Sequence, residues 1–289
     1  MSQQKTGLMY VPASAAYKAG DGYLCIPAEY SPWISTTDYY DTPERVTEAH
    51  ALLERSGLLA KLVPIAPRPA TPEELTGFHS AAYIEKLQRL SAGEGGLVGE
   101  YCRIGHGGLD VIAQAVGGDL VALDEVMARH VRNAFCLQRP PGAHAERESG
   151  FGFCVVNDFN ILIQRAREKY GLKRIMLIDF DNHYKNGIEQ AWYDTDEVLY
   201  AETHQSGAMR PTKTPTISAR ERDKATMWSS PCLPAPVMPP TSRPLKKSSS
   251  LSPTSTNRNL SSLSPASRPI SSTRWGVSSV AQMRMVSSR

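Results

Sequence analysis

The sequence lacks the features that mark secreted, membrane-spanning or thiolate-metal proteins. Its five cysteines are scattered and none forms a CxxC pair, which argues against a disulfide framework or a cysteine-ligated zinc site. The first residues lack a basic stretch followed by an apolar core, and no apolar run approaches the ~18 residues that a membrane span needs. We therefore expect a soluble cytoplasmic protein in a reducing compartment, without a membrane partner.

Acidic residues are almost absent from the last part of the chain. Residues 206–289 hold 13 Lys and Arg but only two acids, Glu221 and Asp223, whereas the residues before them carry a net negative charge. The same part is rich in Ser and Pro and has no helical or strand periodicity, so it cannot bury enough apolar surface to offset the entropy of ordering. We therefore divide the chain into a domain at 1–209 and a tail at 210–289.

Three interpretations of this tail are open: a disordered basic extension, a basic arm for nucleic acid, or an out-of-frame translation that begins near residue 209. Nucleic-acid binding has the weakest support, because the tail lacks dense Lys/Arg clusters and interleaved aromatic residues. We favour out-of-frame translation, since the pattern of a fold stops in mid-course and an almost acid-free composition follows it. Translation of the other two reading frames downstream would test this hypothesis.

The first part of the chain alternates between strand-like and helix-like segments. Thr71 and Glu74 form the capping pair of a helix start, and the pair Gly117–Gly118 predicts a kink or a close contact within the longest helix. The alternation predicts right-handed crossovers and an open, mostly parallel α/β sheet with helices on both faces. The predicted strands are 7–12, 133–137, 174–180 and 198–202, and the predicted helices are 42–57 (capped by Thr42), 80–90, 108–127, 158–171 and 188–193.

The stretch LIDFDNHYKNG, residues 177–187, places Asp179, Asp181 and His183 at alternating positions where an apolar strand ends. Residues i and i+2 of a strand face the same way, so these side chains should converge at the edge where parallel sheets bind ligands. A carboxylate and an imidazole form part of a site for zinc or a similar divalent ion. The alternative is that these residues are solvated and cap the next helix.

A Pro/Gly loop, RPPGAHAERESGFGFC at residues 139–154, presents His144 outside any apolar periodicity. Prolines and glycine make such a loop rigid directly after a strand. A loop histidine near a metal can act as general base on metal-bound water. The alternative, in which His144 only hydrogen-bonds the backbone, is open from the residues alone.

In their order along the chain, these segments resemble the zinc-dependent histone deacetylase and acetylpolyamine amidohydrolase family. The pattern of that family is RPPGHHA, then GFC with an Asn shortly after it, then DxDxHHGNG, then a strand that ends near His-Gln. The segments here are RPPGAHA at 139–145, GFC at 152–154 with Asn157, DFDNHYKNG at 179–187 and VLYAETHQ at 198–205. The resemblance covers roughly residues 7–210, and it implies an arginase-like fold whose sheet is incomplete at the C-terminus.

The resemblance also implies a zinc site and an acetylated substrate, either acetyl-lysine or an acetylpolyamine. Asp181 and His183 would hold the zinc together with a second aspartate much later in the chain. His144 matches the histidine that serves as general base and acid in the hydrolysis of the acetyl amide.

Other positions are matched by residues that support the site. Phe153, next to Gly152, would form one wall of the tunnel for the acyl chain. Asp179 would lie behind the metal ligands and help to bind a structural potassium ion. Asn186 would orient the catalytic histidine.

The sequence departs from the family pattern within the same motifs. Ala143 replaces the first histidine of the pair, Tyr184 and Lys185 replace the His and Gly that follow the metal-binding histidine, and Glu202 stands where Ser is frequent. We also find no GFD-like segment for the third zinc ligand, and no Gly-rich loop with the tyrosine that polarises the substrate carbonyl.

From these departures we predict a deacetylase-family chain with little or no activity as translated. The first alternative is a non-catalytic relative that binds an acetylated ligand. The second is a metal-dependent ureohydrolase on the same fold, which would use more Asp and His ligands than this strand offers.

Overall fold

The computed structural model describes residues 5–23, 26–30, 33 and 41–205, together with the backbone of three later strands. The described α-helices are α1 (Glu44–Arg55), α2 (Pro72–Leu75), α3 (Ala81–Ala92), α4 (Gly108–Met127), α5 (Asp158–Tyr170) and α6 (Asn186–Trp192). The described strands are β1 (Thr6–Tyr10), β2 (Gly22–Tyr23), β3 (Ile26–Pro27), β4 (Val63–Ile65), β5 (Gly96–Glu100), β6 (Cys102–Ile104), β7 (Asn133–Leu137), β8 (Gly150–Phe151), β9 (Ile175–Asp179), β10 (Val198–Gln205), β11 (Thr226–Cys232), β12 (Ser272–Arg274) and β13 (Ala281–Val286).

The longer strands pair mostly in parallel, in two ladders. β1 lies between β4 and β7, and β10 lies between β9 and β11, with all four pairings parallel. β13 pairs antiparallel with the other edge of β9, and β12 pairs with β13. The predicted α/β fold with a mostly parallel sheet is therefore confirmed. The register sets Asp179 of β9 opposite Glu202 of β10, so two acids lie side by side at the carboxyl ends of these strands.

Helices cover both faces of the first ladder. Successive side chains of β1 point to opposite faces, and each face packs against a different helix. Met9 packs into the large core cluster that contains Leu123 of α4 and Phe159 of α5. Its neighbour Leu8 packs on the other face, against Val46 of α1. The same large cluster contains the inward side chains of β9 and β10, so the strand that carries the candidate site is anchored in the main core.

Helix α4 runs through the Gly117–Gly118 pair without interruption. A Cβ atom at Gly117 would lie 2.0 Å from the backbone oxygen of Arg68, and one at Gly118 would lie 2.6 Å from the sulfur of Met9. Of the two predicted roles, a kink or a close contact, the structure shows the close contact.

The predicted helix starts have different outcomes. The capping box is confirmed, because the Thr71 hydroxyl accepts from the Glu74 amide while the Glu74 side chain accepts from the Thr71 amide. The predicted cap by Thr42 is wrong. Helix α1 begins at Glu44 after Pro43, without a side-chain cap on the backbone. The Thr42 carbonyl accepts from the Arg45 amide, while the Thr42 side chain hydrogen-bonds the Glu44 carboxylate.

Most of the predicted tail, 210–289, lies outside the described residues, as does the expected break near residue 209. Within it the structure gives the backbone of β11, β12 and β13, which flank β9 and β10. The three described cysteine side chains, Cys102, Cys136 and Cys154, are buried free thiols. None of the described helices has the length and apolar character that a membrane crossing requires.

Candidate functional site

The candidate site begins where β9 ends, in a loop held together by its own side chains. The Asp179 carboxylate is buried and accepts from the Asp181 backbone amide at 2.8 Å, and Asp181 Oδ1 accepts from the His183 amide at 2.8 Å. Each acid thus closes a short turn on the residue two positions later. The sequence predicted the convergence from strand alternation, but that reason is wrong, because β9 stops at Asp179 and the next two members lie in the loop.

His144 approaches this loop from the Pro/Gly segment, whose base is fixed by a buried arginine. Arg139 is 2% exposed; its guanidinium pairs with Asp41 and donates to the backbone oxygens of Ser14 at 2.6 Å and Tyr17 at 2.9 Å. A buried cation with this many partners has little freedom to move. The loop therefore leaves β7 in a defined direction and delivers His144 to the carboxyl end of β9.

The ring of His144 is oriented by Asn186. The Asn186 Oδ1 lies 2.9 Å from His144 Nδ1, while its Nδ2 donates to the Glu146 carboxylate at 2.7 Å and to the His144 backbone oxygen at 3.2 Å. An amide oxygen can only accept, so this contact assigns the proton to Nδ1 and leaves Nε2 as an acceptor. Phe151 packs beside the imidazole, with ring centroids 5.6 Å apart.

Together, these elements form one cluster of metal-ligand type among the side chains that the structure describes. One ligand atom each from His144, Asp181 and His183 lies within 4.8 Å of the others. Two imidazoles and a carboxylate are a donor set that zinc accepts. The residues present therefore fit a zinc ion in chemical type, although the third ligand atom here comes from the predicted base and not from a second aspartate.

Lys185 contacts two of the three members of this cluster. The residue is 6% exposed, and its Nζ lies 2.5 Å from Asp181 Oδ1 and 3.4 Å from His144 Nε2. The sequence marked Lys185 only as a departure from the family pattern. The feature of the sequence that pointed to this lysine was a cation in place of the family's glycine. It stands between His183, a predicted metal ligand, and Asn186, which orients His144.

The electrostatics of the site follow from burial and from this lysine. Burial lowers the pKa of His144 to about 3, helped by the Lys185 ammonium, so the imidazole is neutral at physiological pH. Burial acts to raise the pKa of Asp181, but contacts with His183 and Lys185 outweigh it and hold that pKa well below its usual range. Burial raises the pKa of Asp179 to about 6, against the opposing effect of Lys185.

The predicted tunnel residues lie on the turn after β8. Gly152 and Phe153 have φ values of 49° and 76°, a left-handed conformation that suits glycine and is uncommon for phenylalanine. Backbone amides of both residues donate to the neighbouring loop, Gly152 to the Glu100 oxygen and Phe153 to the Tyr101 oxygen. The Phe153 side chain is half-buried and packs against the second core cluster, which contains Tyr83 and Val155.

Glu202 closes the inner side of the site, and sequence reasoning gave it no role. It is 2% exposed, its Oε2 accepts from the Lys185 amide at 3.3 Å, and its Oε1 lies 2.8 Å from His204 Nδ1. Tyr200 also donates to Glu202. The acid therefore fixes the backbone from which Lys185 extends.

Comparison with known proteins identifies the family of this chain. A family model described as "Histone deacetylase domain" matches residues 39–231, well over half of the chain. This chain belongs to the histone deacetylase family. The resemblance predicted from the sequence is thereby confirmed.

Curated relatives and a solved structure support the assignment. The histone deacetylase-like amidohydrolase of Pseudomonas aeruginosa is 31% identical over 211 residues, which cover 72% of this chain and 55% of the relative. Human polyamine deacetylase HDAC10 is 33% identical over 175 residues, 57% of this chain and 26% of that protein. The crystal structure of the HDA15 HD domain superposes with a TM-score of 0.64 at 21% identity, covering 74% of this chain and 57% of that one, and supports the fold. The chain spans about half, or less, of the length of these curated relatives.

Proposed function

We propose that the chain carries the acetyl-amide site of a histone deacetylase-family amidohydrolase and that its turnover is strongly impaired. The observation that supports this most is the Asn186–His144 pair facing Asp181 and His183 at the carboxyl end of β9. A base held in one tautomer beside metal-type ligands is the arrangement that amide hydrolysis needs. The carboxyl ends of parallel strands are also where open α/β sheets bind their ligands.

His144 would perform the proton transfers. Asn186 holds Nδ1, so Nε2 is the acceptor that faces the cluster, placed to take a proton from attacking water and return it to the leaving amine. Asn186 holds the ring through Nδ1, and Glu146 holds the Asn186 amide in turn. The three residues form a chain that fixes direction and tautomer before any substrate arrives.

Asp181 and His183 would hold the zinc ion, as the resemblance implies. When bound there, zinc supplies a Lewis acid for the acetyl carbonyl and lowers the pKa of water. The two side chains already share the hydrogen bonds that keep them adjacent, since Asp181 Oδ1 also lies 3.2 Å from His183 Nδ1. Asp179 supports them from behind, and we carry its predicted role beside a structural potassium ion as a proposal.

The impairment follows from what the motifs lack. We could match neither the later aspartate nor the carbonyl-polarising tyrosine in the sequence. Loss of one oxyanion donor alone lowers kcat by about 10²–10³-fold. Incomplete metal ligation would add to this loss.

The substrate class comes from the relatives. Proteins named polyamine deacetylase occur among the curated matches, beside one named histone deacetylase-like amidohydrolase. We propose an acetylated amine, either an acetylpolyamine or acetyl-lysine, as the ligand of this site.

The test is acetate release from N-acetyl-lysine peptide and from an acetylpolyamine, with and without added zinc. The test variant is His144→Ala, which removes the proposed base. The matched control is His106→Ala, because His106 is an exposed histidine outside the site. We expect slow release that His144→Ala abolishes and His106→Ala leaves unchanged. Turnover near the ordinary enzyme range of about 1–10³ s⁻¹ would refute the impairment, and equal rates for the chain and His144→Ala would refute the site.

A second candidate is a non-catalytic protein that binds an acetylated ligand. The observation that favours it is the pairing of Lys185 with Asp181 at the position where a metal ligand set is expected. Calorimetric binding of an acetyl-lysine peptide, without His144-dependent acetate release, would separate this candidate from the first.

A further inference from the structure

We infer that Lys185 is a built-in cation that takes the place of the metal ion, so that zinc binds only when the lysine side chain is displaced. This inference rests on the proposed function only for the identity of the site. It concerns what fills that site, and its test measures metal binding and stability rather than catalysis.

The first argument is position. The Lys185 Nζ contacts Asp181 Oδ1 at 2.5 Å and lies 3.4 Å from His144 Nε2, and both residues belong to the one described cluster of metal-ligand type. The contact with the carboxylate is a short, charge-assisted hydrogen bond. An ammonium group and a divalent ion cannot both lie against the same carboxylate oxygen without strong repulsion.

The second argument is that the lysine is held from its backbone outwards. Its amide donates to Glu202, and its carbonyl accepts from the amides of Ile188 and Glu189 in the first turn of α6. The next residue, Asn186, is fixed by His144 and Glu146. The aliphatic stem therefore starts from a rigid point and runs through the protein interior, with only 6% of the residue exposed.

The third argument is charge. Asp179, Asp181 and Glu202 bring three carboxylates to the ends of two neighbouring strands, and the first and last are almost fully buried. Buried acids of this kind require a nearby cation. A lysine supplied by the chain meets that requirement without a metal ion, and it donates hydrogen bonds but offers no lone pair with which to ligate one.

The test compares the full chain with Lys185→Met, which keeps the stem and removes the charge. Zinc affinity is measured by competition with a chromophoric chelator, and thermal stability is measured in EDTA and in zinc. The control is Lys169→Met, because Lys169 forms a similar pair with Asp124, at 2.8 Å, away from the site.

We expect the chain and Lys169→Met to bind zinc weakly and to unfold at the same temperature in EDTA and in zinc. Lys185→Met should bind zinc at least about tenfold more tightly, the size of change that neighbouring groups make in metal affinity. It should also lose thermal stability in EDTA and regain it in zinc. Equal zinc affinity of the chain and Lys185→Met would overturn the inference.

A measurement on the unaltered chain covers the case in which Lys185→Met fails to fold. Reductive methylation followed by peptide mass spectrometry reports which lysines are accessible. Lys185 should be protected without metal and become reactive at high zinc concentration, whereas Lys169 should react equally in both conditions. Protection of Lys185 that zinc concentrations sufficient for binding do not change would overturn the displacement. If the zinc affinities and the lysine reactivities are as expected but no acetate is released, only the proposed function is overturned.

Discussion

The side-chain oxygen of Asn186 lies 2.9 Å from Nδ1 of His144, although the two residues are 42 positions apart in the chain. Helix α6 begins at Asn186, and the Pro/Gly loop carries His144, so two independent elements meet in this contact. Because Asn186 holds Nδ1, Nε2 is the imidazole nitrogen that can accept a proton.

Replacement of Asn186 should remove the acceptor that keeps the proton of His144 on Nδ1, so that both neutral tautomers become populated. We expect Asn186→Leu to lower any acetate release by about 10- to 100-fold, the usual effect of a residue that orients a ligating or catalytic side chain. Asn186→Asp retains an acceptor oxygen and should retain much of the rate. The decisive measurement is the ¹⁵N chemical shift of the His144 ring nitrogens, which reports the tautomer even when turnover is too slow to measure. Unchanged ring shifts in Asn186→Leu would contradict the positioning role.

A pair of buried acids away from the site should make stability depend on pH. The Gln138 amide donates to Asp119 at 2.6 Å and to Asp158 at 3.1 Å. Burial raises the pKa of both carboxyls, that of Asp158 to about 6. A carboxyl whose pKa is raised in the folded state binds its proton more tightly there than in the unfolded chain. Its contribution to stability is therefore present at low pH and is lost as pH rises through the folded-state pKa.

Asp119→Asn removes one of these ionisations. We expect the variant to be more stable than the wild type at about pH 8, by about 1–3 kcal/mol, because ionisation of the buried Asp119 carboxyl beside Asp158 is then avoided. The advantage should shrink towards about pH 4, where the folded wild type holds both carboxyls protonated and no longer buries their charge. Urea unfolding across this range provides the measurement, with Asp110→Asn, an exposed acid on the same helix, as control. A constant difference at all pH values would argue against the ionisation.

The ion pair between Arg139 and Asp41 should be a major stability contact. Removing one partner of a buried pair costs about 3–5 kcal/mol, because the other charge remains buried. We expect Arg139→Met to lower the free energy of unfolding by that amount and to loosen the loop that carries His144. Arg45→Met provides the control, since Arg45 lies 3.8 Å from the same carboxylate but its side chain is 49% exposed, and such pairs contribute about 0–1 kcal/mol. Similar losses in the two variants would contradict this account.

Local patterns in the sequence predicted elements better than they predicted the site. Helix α4 and strand β7 have the bounds that were predicted from the apolar pattern of the sequence. The end of β9 was predicted one residue too long, because its acids form side-chain turns on the backbone, and those turns cannot be distinguished from strand alternation in the sequence.

The position of Lys185 could not have been predicted from the sequence. It depends on the first turn of α6, on the hydrogen bond from its amide to Glu202, and on the register that brings β10 beside β9. Each of these is a contact between segments that are separate in the chain. A family motif indicates which residues approach a metal, but it gives no position for a side chain that the motif does not contain.

Truncation after residue 209 should reveal what the last part of the chain does. The structure pairs β11 with β10 over seven register positions and β13 with β9 over five. Deletion of 210–289 would leave both edges of the β9–β10 ladder without partners, and exposed strand edges promote association between molecules. We therefore expect the chain 1–209 to form oligomers or aggregates, detected by size exclusion with light scattering, at concentrations where the full chain stays dispersed. The predicted disordered or out-of-frame tail leads to the opposite outcome, because removal of a segment without native contacts would leave association and thermal unfolding unchanged.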